Sequence, residues 1–292
     1  MINEWVKNAT DNLISSIISP TDITAVADLI LANAVYFKGE WLEPFDWLST
    51  RKGTFHRLDG SCVEARFMSS FEWLKVSCTD GFKVLRLPYN PGMPLPPDVK
   101  RCRRPGAAGA AAARMSTEVG GDTEYSMFVF LPDKRDGLAT MVDVITAAPS
   151  YLYGILAKTE TRPVELKLPK FEIKFSFDLE SDLRKLGLSL PFSPEAADLR
   201  GMYSAAEEDG GVDGGGGDGK RVTFLSKVAH TAFVKVNEMG TEAAAATFGL
   251  CGGGGPPPGI VEFAADHPFT FFIMEEHSGV IVFAGHVLDP TV

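Results

Sequence analysis

Apolar residues first recur at helical spacing. Ile2, Trp5, Val6, Ala9, Leu13 and Ile17 follow that period and predict a helix over 2–18, closed by Ser19-Pro20. Leu29 to Phe37 is then an almost unbroken apolar run, the pattern of a strand covered on both faces. Its polar residue, Asn33, is expected to be buried and so to need a hydrogen-bond partner. Strand-like alternation follows over 54–89, with Phe55, Val63, Phe67-Met68 and the run Phe82 to Tyr89, and it resumes at Tyr125 to Pro132. Between 164 and 177 the apolar set sits on even numbers (Val164, Leu166, Leu168) and shifts to odd numbers after Pro169 (Phe171, Ile173, Phe175, Phe177). A change of phase at a proline predicts a bulge or a break between two strands. Asp178 to Leu186 reads as a short helix stopped by Gly187. Val222 to Val236 reads as a strand, and Phe269–Met274 with Val280–Phe283 as a closing apolar hairpin.

The stretch from Asn237 to Phe269 behaves differently. A strand-like run ends at Asn237-Glu238, and no large apolar residue follows until Phe248. No proline interrupts Asn237 to Gly255, so each residue there retains a backbone N–H for a sheet ladder. In an extended conformation Thr241, Ala243, Ala245, Thr247 and Gly249 share one face that is entirely small and uncharged, and Glu242 points away. The segment is a loop with the pattern of a strand.

Composition narrows the function classes. With 292 residues and 45% hydrophobic content, the chain is long enough for a sizeable core. A formal charge of -10 argues against nucleic acid or an anionic membrane as partner. The basic cluster Lys100-Arg101-Cys102-Arg103-Arg104 lies in a Pro-, Arg- and Ala-rich segment without periodicity and reads as solvated. Four cysteines (62, 78, 102, 251) without C-x-x-C spacing predict neither disulfides nor a zinc site, and a reducing compartment. No window has the length of a membrane span, and residues 1–20 do not read as a signal peptide, so the cytoplasm is expected, with the extracellular space as the alternative. Gly214 to Gly219 satisfies a dinucleotide-type glycine pattern. It follows Glu207-Glu208-Asp209 rather than a strand, and Arg221 stands where a P-loop carries Ser or Thr, so a surface loop is expected. His267 reads as a packing residue, and no nucleophile-elbow or zinc-protease motif occurs.

The hinge Glu238-x-Gly240-Thr241-Glu242-Ala243-Ala244-Ala245-Ala246-Thr247, with Phe263-x-Ala265-Asp266-His267-Pro268-Phe269 downstream, resembles the serpin family, in particular its plant Z-type members. The run 29–37 followed by Lys38-Gly39-Glu40-Trp41 resembles that family's central strand and its Trp, and His230 matches the His that partners Asn33. The resemblance implies an α+β fold of mixed β-sheets and packed helices with an exposed reactive-centre loop, here lacking the family's N-terminal helices and strands. It implies one partial domain over 1–292, with low-complexity surface insertions at 91–122 and 206–219 and the reactive-centre loop at 238–259.

In such proteins the loop is bait for a protease, and after cleavage its N-terminal side inserts as a new strand into the main sheet. Loop length places the reactive bond at Gly254–Gly255, and Asn33, Trp41 and His230 mark where the sheet opens. The implied protein is a monomeric inhibitor, not an enzyme, without cofactor or metal, and its partners are serine proteases or, secondarily, cysteine proteases. The alternative is a homologue that no longer inhibits and acts as a binding or scaffold protein, or is the product of a degraded gene. The Gly252–Gly255 tract offers no side chain to a specificity pocket, and Leu250 or Cys251 is the other candidate for recognition.

Overall fold

The computed structural model describes residues 2–23, 29–91, 123–199, 223–240 and 257–292. The chain forms two compact units, residues 1–37 with 173–234 and residues 38–172 with 235–292.

The first unit is built on a three-stranded sheet in the order β1 (Leu29–Phe37), β8 (Leu225–Val236), β7 (Phe171–Asp178). The helix α1 (Ile2–Ala9) packs against it, with Val6 and Ile14 fully buried beside Phe233. The helix is half as long as the apolar spacing predicts. Asp11 (φ 48°) and Asn12 (φ 66°) are both left-handed, and two such residues in succession stop a right-handed helix. The chain then doubles back along it, with Asn3 Nδ2 donating to Ile18 O at 2.7 Å and Asn3 Oδ1 accepting from the backbone of Ile17 and Ile18. Leu13 and Ile17 still reach the same apolar cluster. The spacing therefore marked the buried face correctly, and the backbone reaches that face by a different route.

β1 forms where the apolar run predicts, but none of its residues is buried. Leu31 is 52% exposed and Asn33 is exposed as well. The expectation of a strand covered on both faces, with a buried Asn33, is thus corrected. Among the described residues of this unit, α1 and the segment after it cover one face through Ala34 and Tyr36, and the face carrying Leu31 and Asn33 stays open. The helix α4 (Glu180–Lys185) follows β7 and ends at Gly187 in the left-handed region, as expected from sequence.

The second unit holds an eight-stranded sheet. Its path is β11 (Ile281–Val287), β10 (Phe269–Glu275), β5 (Tyr125–Pro132), β4 (Phe82–Pro88), β3 (Cys62–Thr79), β6 (Glu160–Pro169), β9 (Val261–Ala264), and β2 (Arg51–His56) pairs with β3 off that path. Pro169 therefore marks a break rather than a bulge, because β6 and β7 belong to different sheets. The helices α2 (Leu138–Thr146) and α3 (Pro149–Ala157) close one core with Phe82, Val84, Phe128, Phe130 and Phe272. Sequence reading passed over both, although Leu138, Met141 and Ile145 carry helical spacing and Pro149 sits at a first-turn position.

Among the described residues no helix is long and apolar enough to cross a membrane, and no group of three or more His, Cys, Asp or Glu could hold a metal ion. Cys62 and Cys78 are free thiols. His267 is buried with Nε2 2.7 Å from Pro132 O and Nδ1 2.8 Å from Asp266 Oδ1, a structural setting.

Candidate functional site

The sequence-derived site divides between the two units. In the first, β1 and β8 run parallel and in register from Ile30↔Lys227 to Phe37↔Val234, which places Asn33 opposite His230. The Asn33 Nδ2 amide donates to His230 Nδ1 at 3.1 Å, and the His230 ring sits edge-on to Phe177 at 5.2 Å. On the opposite face of β8, Thr231 is fully buried and its hydroxyl lies 2.9 Å from that of Ser176 on β7. The two strands are joined along their length, and no strand lies between them.

In the second unit, the four residues Asn237–Gly240 make a tight turn. Asn237 N donates to Gly240 O at 2.9 Å, Gly240 N to Asn237 O at 3.2 Å, and Asn237 Oδ1 accepts from Met239 N. Segment 40–50 grips this turn from outside. Trp41 Nε1 donates to Asn237 O at 2.9 Å, Trp41 N to Met239 O at 2.8 Å and Phe45 N to Glu238 O at 2.8 Å. Trp41 is only 3% exposed, because its ring stacks on Tyr89 with centroids 4.5 Å apart. Gly240 is buried with φ at +130° and forms a bridge to Glu40.

Glu238 is held from two further directions. Lys170 Nζ lies 2.8 Å from Oε2 and 3.1 Å from Oε1, and Thr50 Oγ1 donates to Oε1 at 2.8 Å. Burial works against the charge. The hydrogen bond from Lys170, the one from its own backbone and the one from Thr50, together with the Lys170 charge, nevertheless hold the Glu238 carboxyl below the usual carboxylate range. A carboxylate depressed in the folded state stabilises the fold above its unfolded-state value, and that contribution is lost as pH falls through the lower folded-state value. Glu238→Gln is therefore expected to melt earlier than the parent at neutral pH, and the gap should close below the ordinary carboxylate range. Melting curves taken from neutral to acid pH check this, and a gap that ignores pH would remove the ion pair from the account.

The comparisons with known proteins bear on this geometry. The family model described as "Serpin (serine protease inhibitor)" matches residues 1–96 and 108–290. The chain belongs to the serpin family. Rice Serpin-Z2A is 40% identical over 303 residues, covering 99% of this chain and 66% of the relative. Wheat Serpin-Z1A is 37% identical, covering 99% and 63%. Among solved structures, Arabidopsis AtSerpin1 in its native stressed conformation superposes with a TM-score of 0.71 at 34% identity, covering all of this chain and 65% of that one. The chain spans 61% to 68% of the length of such curated plant relatives. The family is one of protease inhibitors, not of enzymes.

Of the predicted serpin site residues, the structure pairs Asn33 with His230 and gathers Trp41, Glu238 and Gly240 around one turn. Thr241, Glu242, Ala243, Ala244, Ala245, Ala246 and Thr247 of the hinge, the bond Gly254–Gly255, and the insertions over 92–122 and 206–219 lie outside the described residues, as do Cys102 and Cys251. Sequence reasoning missed Thr50, Tyr89, Lys170 and Asn237. Thr50 and Lys170 lie 188 and 68 residues from Glu238, and no local pattern announces them.

Proposed function

We propose that this chain is a serpin-type inhibitor acting as a suicide substrate of a serine protease. The loop beyond Gly240 is the bait, with Gly254–Gly255 as the reactive bond, and Thr241 to Gly249 is the segment that inserts between β1 and β8. The observation that carries the reading is the parallel β1–β8 pair with Asn33 opposite His230. A segment that leaves the C-terminal end of β8 and turns back runs antiparallel to β8, and so antiparallel to β1 as well. It therefore fits between them with ladder bonds on both edges. Thr241 to Gly249 has the nine-residue length of β1, and its small uncharged face suits a strand taken into a sheet.

Insertion requires the turn at Asn237–Gly240 to open, so the bonds from Trp41, Thr50 and Lys170 act as a latch on the start of the loop. Each is worth about 0.5–3 kcal/mol, the charged ones the most. A latch of that strength holds the loop out until cleavage frees its far end.

Mixing the chain with trypsin-, chymotrypsin- and elastase-like serine proteases and running the products on a denaturing gel tests the proposal. The expected result is a band that survives SDS at the summed mass less the released fragment 255–292, the covalent ester between the protease serine and the carbonyl of Gly254. Cleavage of the loop without that band would overturn inhibition.

A second reading, a serpin homologue that binds without inhibiting, is favoured by the open face of β1, where Leu31 is 52% exposed and Asn33 is exposed. A sheet with an uncovered face has less to gain from closing on a new strand. Nicking the loop and comparing melting midpoints separates the two readings. A large rise after the nick supports insertion, and an unchanged midpoint supports the second reading.

A further inference from the structure

The second unit contains a cavity of about 260 Å³ that shares only Tyr89 with the site around the turn at Asn237–Gly240. It lies on one face of the large sheet. Trp73 and Lys75 stand two apart on β3, and Lys75 is paired with Arg86 of β4. Phe82 and Val84 lie on that same face of β4, under α2 and α3, and the cavity opens further along the strand. Three aromatic rings line it. Tyr89 is buried, Tyr125 is half-buried, and Trp73 is 47% exposed.

The cavity also contains an ion pair with spare valence. Arg86 Nε donates to Glu276 Oε1 at 2.8 Å and to Ser126 Oγ at 3.1 Å, and Arg86 Nη2 and the Ser126 hydroxyl also turn to Glu276 Oε1. All but the bond to Ser126 Oγ converge on one carboxylate oxygen. Among the described residues, Arg86 Nη1 has no acceptor and Glu276 Oε2 has no donor. The pair sits only 18% and 21% exposed.

From these groups we infer a binding site for a small, flat, uncharged aromatic bearing a hydroxyl, a one- or two-ring phenol. The rings of Trp73 and Tyr125 offer aromatic surface to an aromatic guest, with Tyr89, one face of which is stacked on Trp41, beside them. A hydroxyl both donates and accepts, so one group satisfies Glu276 Oε2 and Arg86 Nη1 together. Lys75 and Glu124 line the same cavity with opposite charges, and Arg86 and Glu276 cancel each other, so an anion gains no net attraction. The volume falls below the roughly 300–1,000 Å³ of drug-sized pockets, which limits the guest to one or two rings.

The test titrates 2-naphthol into the full 292-residue chain by isothermal calorimetry, with naphthalene-2-sulfonate as the charged comparison. Saturable one-to-one binding of 2-naphthol is expected, with the sulfonate weaker. Trp73→Ala is expected to weaken 2-naphthol about tenfold or more, and Trp73→Phe to restore most of the affinity. The half-exposed position of Trp73 allows both variants to fold, which an unchanged melting midpoint confirms. No saturable binding, or an affinity indifferent to Trp73→Ala, overturns the site. A sulfonate that binds as tightly as the naphthol overturns the assignment of a neutral hydroxyl. Because no protease enters the assay, its outcome is independent of the inhibitory reading.

Discussion

Replacing Trp41 by alanine is expected to cost about 3–5 kcal/mol of stability, the range for truncating a large buried aromatic. Three losses combine. The stack on Tyr89 at 4.5 Å disappears, as does the edge contact with Phe45 at 6.5 Å. The carbonyl of Asn237 also loses its indole donor. That carbonyl is left with Gly240 N alone, at 3.2 Å. Trp47 provides an internal control, since it lies in the next turn of chain but is 62% exposed. Trp47→Ala should stay within about 0.5 kcal/mol of the parent. Thermal or denaturant unfolding of the two variants side by side checks the prediction, and equal losses would contradict the buried stack. Trp41→Phe keeps a smaller ring against Tyr89 but loses the N–H and part of the buried surface, so its loss should fall between the parent and Trp41→Ala.

Gly240→Ala is expected to be comparably damaging for a different reason. A Cβ built on Gly240 would lie 2.2 Å from Gly39 O and 2.7 Å from both Glu40 Cα and Trp41 N. All three are backbone atoms, so no rotamer change relieves the overlap. The φ of +130° adds strain of its own for any residue with a side chain. The turn must therefore move away from segment 39–41 and give up the bonds it makes there, a cost of about 3 kcal/mol or more. Gly60→Ala provides the comparison, because Gly60 has positive φ but nothing within 4 Å of its Cβ position, so only backbone strain of about 1–2 kcal/mol should appear. Loss of midpoint in the order Gly240→Ala well beyond Gly60→Ala supports close approach as the cause, and equal losses would point to φ alone. If the turn is the latch proposed above, Gly240→Ala also leaves the loop less firmly held, and limited proteolysis around residue 240 should quicken.

Much of this architecture was legible before any coordinates. Alternation located β2, β4, β5, β6 and β10 because each has buried residues on one face or both within a packed sheet, and it located β7 although only Phe171 of that strand is buried. The hinge residues stood out because the segment after Gly240 avoids proline and large apolar side chains as far as Phe248. Where reading failed, the cause was a local event that the pattern does not record. The apolar period of residues 2–17 runs on through Leu13 and Ile17, yet Asp11 and Asn12 turn the backbone left-handed and end the helix at Ala9. A period marks which side chains seek the core, not which backbone path delivers them.

The sequence by itself determined where most strands lie, and its resemblance to serpins matched Asn33 with His230. The strands follow from side-chain size, polarity and spacing within a few residues. Only the tertiary structure decided that Thr50 and Lys170 close on Glu238, that Pro169 separates two sheets, that Asn33 stands exposed, and that Trp73, Arg86 and Glu276 share a cavity. Each of these depends on which distant strands are neighbours, and strand pairing is set by the packing of the whole sheet rather than by any one strand's pattern.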